Sequence, residues 1–109
     1  MRAEELIKSS YGLDPQYCSH KDKMWGKAVY FALKAAYSNQ YAYRYDNGNR
    51  EMLLCKVLVG KSYECKPDYS LRNPPEGYTS VKGNTQDCDV YMVYKNYLSL
   101  IDCVVTYKI

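Results

Sequence analysis

Tyr30, Ser38 and Tyr41 are the side chains of this sequence whose types and spacing could do chemistry: two phenols and a hydroxyl, each able to donate and accept a hydrogen bond. They share one run, Gly26-Lys27-Ala28-Val29-Tyr30-Phe31-Ala32-Leu33-Lys34-Ala35-Ala36-Tyr37-Ser38-Asn39-Gln40-Tyr41. Val29 and Phe31 alternate with Ala28, Tyr30 and Ala32 at strand period, and Ala35, Ala36, Asn39 and Gln40 follow at helix period. The change of period predicts a strand-to-helix junction near Ala32. A strand that fixes Tyr30 and a helix that carries Ser38 and Tyr41 can direct all three into one small cleft.

Two other groups invite chemistry and carry less. Cys18 and His20 could begin a metal site, but no second Cys/His pair completes it, so no metal is expected. Lys21, Lys23 and Lys27 could meet an anionic ligand such as a pyrophosphate, although lysines beside a loop are more often simply solvated.

Composition bounds the rest. A chain of 109 residues holds one domain or part of one. Its hydrophobic fraction of 47% and charged fraction of 25% are those of a soluble globular protein, and no apolar run approaches the roughly 20 residues of a membrane span. Fourteen Tyr against one Phe and one Trp predict a core with polar edges, because each phenol needs a hydrogen-bond partner. A net charge of +3 with dispersed cations gives no nucleic-acid footprint. Five cysteines at irregular gaps, without a Cys-x-x-Cys pair, argue for reduced thiols and an intracellular setting, nuclear or cytoplasmic.

The elements that must position the three hydroxyls follow from pattern. An amphipathic helix is expected from Met1 to about Ser9-Ser10, then a turn at Tyr11–Pro15 and a polar loop to Trp25. Asp46-Asn47-Gly48-Asn49 reads as a turn into Glu51–Val59, apolar on both faces and therefore expected to be a central strand covered on each side, anchoring the core. Cys65–Tyr78, with Pro67, Pro74, Pro75 and Gly77, reads as a loop. Tyr78–Val81 is expected as a short edge strand, Lys82-Gly83-Asn84 as a turn, and Asp89–Tyr94 and Leu100–Tyr107 as an antiparallel pair joined by a turn at Lys95–Ser99. The fold class expected is α+β, a small and mainly antiparallel sheet with one or two helices.

The run Gly26-Lys27-Ala28-Val29-Tyr30-Phe31-Ala32, followed by Tyr37-Ser38 and Tyr41, resembles the catalytic domain of the poly(ADP-ribose) polymerase family, whose motif is Gly-Lys-Gly-x-Tyr-Phe-Ala with a Tyr-Ser pair and a later Tyr. Tyr11–Asp14, Val57–Gly60, Tyr78–Val81 and Val90–Tyr107 resemble further family segments in the same order, the last of them a terminal hairpin. The resemblance implies an incomplete ADP-ribosyltransferase fold that takes NAD as ADP-ribose donor and a protein as acceptor. It implies Gly26 and Tyr30 at the NAD cleft, Tyr30 being the tyrosine of the catalytic triad. Ser38 would hydrogen-bond the nicotinamide carboxamide and Tyr41 would stack on its ring.

The departures from the family pattern set the expected outcome. The family His lies in a His-Gly strand that would precede Met1, and Val90 stands where the family Glu would fall. Val can neither orient a ribose hydroxyl nor accept a proton, so single-unit transfer is expected rather than chain elongation. Ala28 replaces the second motif Gly. The alternatives are a catalytically inactive NAD-binding or protein-interaction module, and a tyrosine-rich core in which Tyr30, Tyr37, Tyr41 and Tyr43 are structural. A missing strand would also leave a sheet edge open to association.

Overall fold

Alternation of small and large apolar residues builds β1 (Val29–Ala32), which pairs antiparallel with β6 (Cys88–Val93) so that Tyr30 faces Met92 and Ala32 faces Val90. The computed structural model describes residues 24–108 of the chain, so the expected first helix, the turn at Tyr11–Pro15 and the loop carrying Cys18, His20, Lys21 and Lys23 lie outside the described residues. After β1 come α1 (Ala35–Ser38), a 3-10 turn (Asn39–Tyr41), β2 (Tyr43–Arg44), β3 (Asn49–Val57), β4 (Ser62–Glu64), β5 (Ser80–Thr85), β6, a 3-10 turn (Asn96–Leu98) and β7 (Ser99–Lys108). The strands form two sheets, ordered β1-β6-β5-β4 and β2-β3-β7, with only the β4–β5 pair parallel. The fold is α+β, as the pattern predicts, although the single expected sheet is two and the described residues contain one short helix.

The core belongs to the first sheet. Strand alternation puts Tyr30 and Ala32 of β1, Cys88, Val90 and Met92 of β6 and Val81 of β5 on one face, where they pack with Trp25, Tyr94 and Ala28, the last just before β1. Trp25 lies across Gly83, and a Cβ at that glycine would fall 2.1 Å from the indole. Gly83 is therefore a strand residue whose missing side chain admits a ring. Lys82-Gly83-Asn84 is not the expected turn; the chain reverses at Gln86-Asp87, both at positive φ (51° and 59°), in a two-residue hairpin of the type that matches strand twist. The second face of the sheet buries Val29 and Val93 against Leu98, with Phe31 and Val57 beside them.

Three further expectations are corrected. Tyr78–Val81 is not an edge strand, because β5 begins at Ser80 and lies inside the sheet, paired on both sides; the hydroxyl of Ser80 reaches the Val59 carbonyl at 2.8 Å, which offsets its burial. Asp89–Tyr94 and Leu100–Tyr107 do not pair with each other: β6 stays between β1 and β5, while β7 crosses to β3 in the other sheet. Glu51–Val59 is central in strand order, but no residue of β3 is buried and Leu54 is 56% exposed, so it does not anchor the core. The loop over residues 65–79 and the Asn47-Gly48 turn match expectation, the latter closed by Tyr45 N–H to the Asn49 carbonyl at 2.8 Å with Gly48 at φ 89°.

At the β3–β7 junction the register shifts between Leu54 and Cys55, leaving Asp102 without a partner on β3. Burial, with Asp102 and Cys103 nearby, pushes the Cys55 thiol up to about 11 from an ordinary 9.0. The folded state thus keeps a proton that the unfolded chain releases. Stability from this group is present below pH 9.0 and lost as pH rises through about 11. Chemical denaturation at a series of pH values is expected to show the wild type weakening across that interval more steeply than Cys55→Val.

Candidate functional site

Gly26 makes the turn into β1 at φ 83°, and a Cβ there would fall 2.0 Å from the Leu71 carbonyl oxygen, so the loop over residues 65–79 closes directly on the motif glycine. Trp25, Gly26 and Tyr30 then form a closed unit. The Trp25 N–H donates to the Tyr30 hydroxyl at 2.8 Å, and that hydroxyl donates to the Gly26 carbonyl at 2.8 Å. The Trp25 indole donates to the Cys65 carbonyl at 3.1 Å, and the Tyr94 hydroxyl to the Trp25 carbonyl. Burial raises the Tyr30 phenol above its ordinary value, with the Trp25 N–H pulling it down and Tyr69 adding to the rise. Tyr30 is a neutral phenol at physiological pH, suited to positioning rather than to proton abstraction.

Val90 projects from the same sheet face, opposite Ala32 on β1 and Gly83 on β5, and is 1% exposed. The position expected for a glutamate is filled by an isopropyl group in the core. Its neighbour in sequence, Asp89, lies on the other face, where its carboxylate meets the Lys82 ammonium at 3.8 Å.

Ser38 and Tyr41 sit on a shorter support than the period predicts. The α-helix is one turn long: Lys34, its N-cap, is extended and gives no side-chain capping bond, and the chain tightens into a 3-10 turn at Asn39. Residues three apart still share a side in that geometry. The Ser38 hydroxyl makes no capping bond to the 3-10 turn. Tyr41 is 68% exposed, with its ring centroid 5.6 Å from that of Tyr37. Tyr37 in turn packs against the buried cluster that Tyr30 also borders, and burial followed by the Tyr41 hydroxyl raises its phenol. A succession of phenols, Tyr30, Tyr37 and Tyr41, thus leads from core to surface. Tyr37 is the member that the sequence pattern undervalues, although its spacing to Tyr41 is that of neighbouring helical side chains.

Asn39 is a second residue that pattern reading passes over. Its side-chain oxygen accepts from Arg50 Nη1 at 3.0 Å and from the Tyr107 hydroxyl, tying the segment to the second sheet. On the other side Lys34 Nζ donates to the Asp87 carbonyl at 2.6 Å and Gln40 to Gln86 at 3.0 Å. The Ser38–Tyr41 segment is clamped between the β5–β6 hairpin and β3–β7. Two hollows among the described residues lie elsewhere. A groove of about 410 Å³ runs between α1 and the second sheet, beside Met52, Val105 and Tyr107, and one of about 390 Å³ lies beside Leu58 and Leu98. Neither is lined by Tyr30, Ser38 or Tyr41.

An α+β chain with a glycine-cornered strand carrying an anchored tyrosine, and a Tyr-Ser turn after it, defines a class that the comparisons identify. The poly(ADP-ribose) polymerase catalytic domain matches residues 4–107, and the chain belongs to that family. It is 28% identical over 92 residues, 77% of its length, to a probable poly [ADP-ribose] polymerase of Dictyostelium discoideum, and 44% identical over 62 residues, 55% of its length, to poly [ADP-ribose] polymerase 1 of Oryza sativa subsp. japonica. It is 32% identical over 80 residues, 64% of its length, to the human protein mono-ADP-ribosyltransferase PARP4. The chain spans 24%, 6% and 5% of these three relatives.

Proposed function

We propose that this chain forms the nicotinamide-binding part of an NAD-dependent protein ADP-ribosyltransferase that transfers single ADP-ribose units. The observation that carries the reading is Val90: a closed, apolar side chain at the position where the resemblance puts the elongating carboxylate. Similarity to a protein mono-ADP-ribosyltransferase supports the same outcome. Free thiols at Cys55, Cys65, Cys88 and Cys103 support an intracellular setting, nuclear or cytoplasmic.

The donor supplies a nicotinamide–ribose bond, whose two electrons leave with nicotinamide while an acceptor side chain of a protein forms the new bond to the ribose carbon through a transition state of oxocarbenium character. The residues of this chain act by position. The exposed Tyr41 ring offers a face for a flat heterocycle and the Ser38 hydroxyl a hydrogen bond to a carboxamide. Tyr30, held by Trp25 and Gly26, fixes the wall beside them. Orientation of the leaving group is the main contribution such a site makes.

A second reading, an NAD-binding module without transfer, is favoured by the commitment of the Tyr30 hydroxyl to Trp25 and Gly26. One experiment separates the two. The chain is incubated with NAD labelled in its adenine half and with acceptor protein, and NAD binding is followed by calorimetry. Transfer is expected as a single sharp product without a ladder. Tyr41→Ala is expected to weaken NAD binding by about tenfold, the loss of one stacked face, and Ser38→Ala by about two- to tenfold, the loss of one hydrogen bond. Binding without label transfer selects the second reading, and no binding at millimolar NAD rejects both.

A further inference from the structure

We propose that β7 is a self-association edge through which two copies of this chain form an isologous dimer, by antiparallel pairing centred on Val105. Among the described residues β7 ends the β2-β3-β7 order, so its outer backbone groups have no strand beside them. It is the longest strand of the described residues, ten residues without proline, and its exposed side chains include Leu100, Cys103 and Val105. Natural edges of that length are usually blunted by proline, repeated lysine or brevity, and β7 has none of these over Cys103–Tyr107.

The occupant follows from charge. Asp102 and Lys108 are the only charged residues of β7, they are opposite in sign, and both are exposed. A strand that meets a second copy of itself antiparallel about Val105 sets Asp102 opposite the partner's Lys108, and the same pair recurs on the other side of the two-fold axis. The remaining pairs are Cys103 with Tyr107, Val104 with Thr106, and Val105 with itself, combinations of β-branched, aromatic and small side chains that suit cross-strand positions. Centring on Cys103 would instead set Asp102 against Val104, and centring on Val104 would set it against Thr106 and leave Leu100 against Lys108. Only the Val105 register matches both charges. The Val105 register pairs residues 102–108 with their counterparts, and the β3–β7 bulge, where Asp102 has no β3 partner and the ladder resumes at Ile101, lies at the end of that ribbon. The two three-stranded sheets then become one continuous sheet.

Sedimentation equilibrium of the full chain at low salt tests this. The wild type is expected to show a reversible monomer–dimer equilibrium. Asp102→Lys and Lys108→Asp singly are each expected to weaken it by about tenfold or more, because each sets like charges opposite each other twice, and the double swap Asp102→Lys with Lys108→Asp to restore it to within about threefold. Val105→Lys, which places two ammonium groups on the axis, is expected to weaken it similarly. All four variants change exposed positions, and their circular dichroism should match the wild type. A chain that stays monomeric up to about 1 mM overturns the proposal, as does assembly beyond the dimer or a dimer indifferent to the single swaps or not rescued by the double swap.

Discussion

Trp25→Ala is expected to lower the unfolding free energy by about 3–5 kcal/mol, the range for removing a large aromatic side chain from a core. Trp25 is 1% exposed, fills the space left open over Gly83, and packs with Val81, Val90 and Met92. Its loss opens a cavity under rigid strands, which cannot collapse across a hydrogen-bonded sheet, and it also leaves the Cys65 carbonyl without its indole donor. A small domain holds about 5–15 kcal/mol in all, so this variant should lose a large fraction of its stability. Urea titration followed by far-ultraviolet circular dichroism measures the change. Trp25→Phe, which keeps most of the buried area but not the N–H, should lose visibly less. The reciprocal substitution, Gly83→Ala, acts on the same contact from below: a methyl group 2.1 Å from the indole must displace it, so it should weaken the fold in the same assay. A cost under about 1 kcal/mol for Trp25→Ala would place the centre of stability elsewhere.

That contact also explains which parts of the molecule could be read from its sequence. Val29–Ala32 was legible because alternation at period two survives whatever packs on it, and the Asn47-Gly48 turn because positive φ at Gly48 is a local demand. Gly83 was not. Its glycine serves a ring fifty-eight positions earlier in the chain (83 − 25), and a close approach of that kind leaves the same local mark as a turn. The true reversal at Gln86-Asp87 has no glycine to announce it. β3 misled in another way: apolar residues on both faces signal cover, yet its faces stay half open and the core forms on the sheet that Trp25 closes. The site divides along the same line. The local marks of Gly26 and Tyr30 agree with the turn and strand they occupy, whereas the ties of Asn39 to Arg50 and Tyr107 of another sheet, just past the end of α1, are long-range contacts that no local period records.

Val90→Glu sets the fold against the family pattern and is expected to cost about 3–5 kcal/mol at neutral pH, the scale for an uncompensated charge in a core. Val90 touches β1 and β5 neighbours on both sides, at Ala32 and Gly83, and its surroundings are Trp25, Val81 and Met92, none of which can neutralise a carboxylate. The nearest cation in the sheet, Lys82, is on the opposite face and already meets Asp89. The new carboxyl must therefore stay protonated well above its free value of about 4.3. Between those two values the unfolded chain holds fewer protons than the folded one, so the stability of the variant falls as pH rises, and its deficit against the wild type is smallest near pH 4. Urea midpoints for both proteins at pH 4, 5.5 and 7 give the comparison directly. A deficit that does not grow with pH would mean that the side chain escapes to solvent. Position 90 would then border an open cleft, and the variant, given NAD and acceptor protein, should begin to extend single units into chains. A deficit that grows with pH keeps position 90 in the core, closed to the ribose hydroxyl that the proposed chain elongation would need a carboxylate to orient.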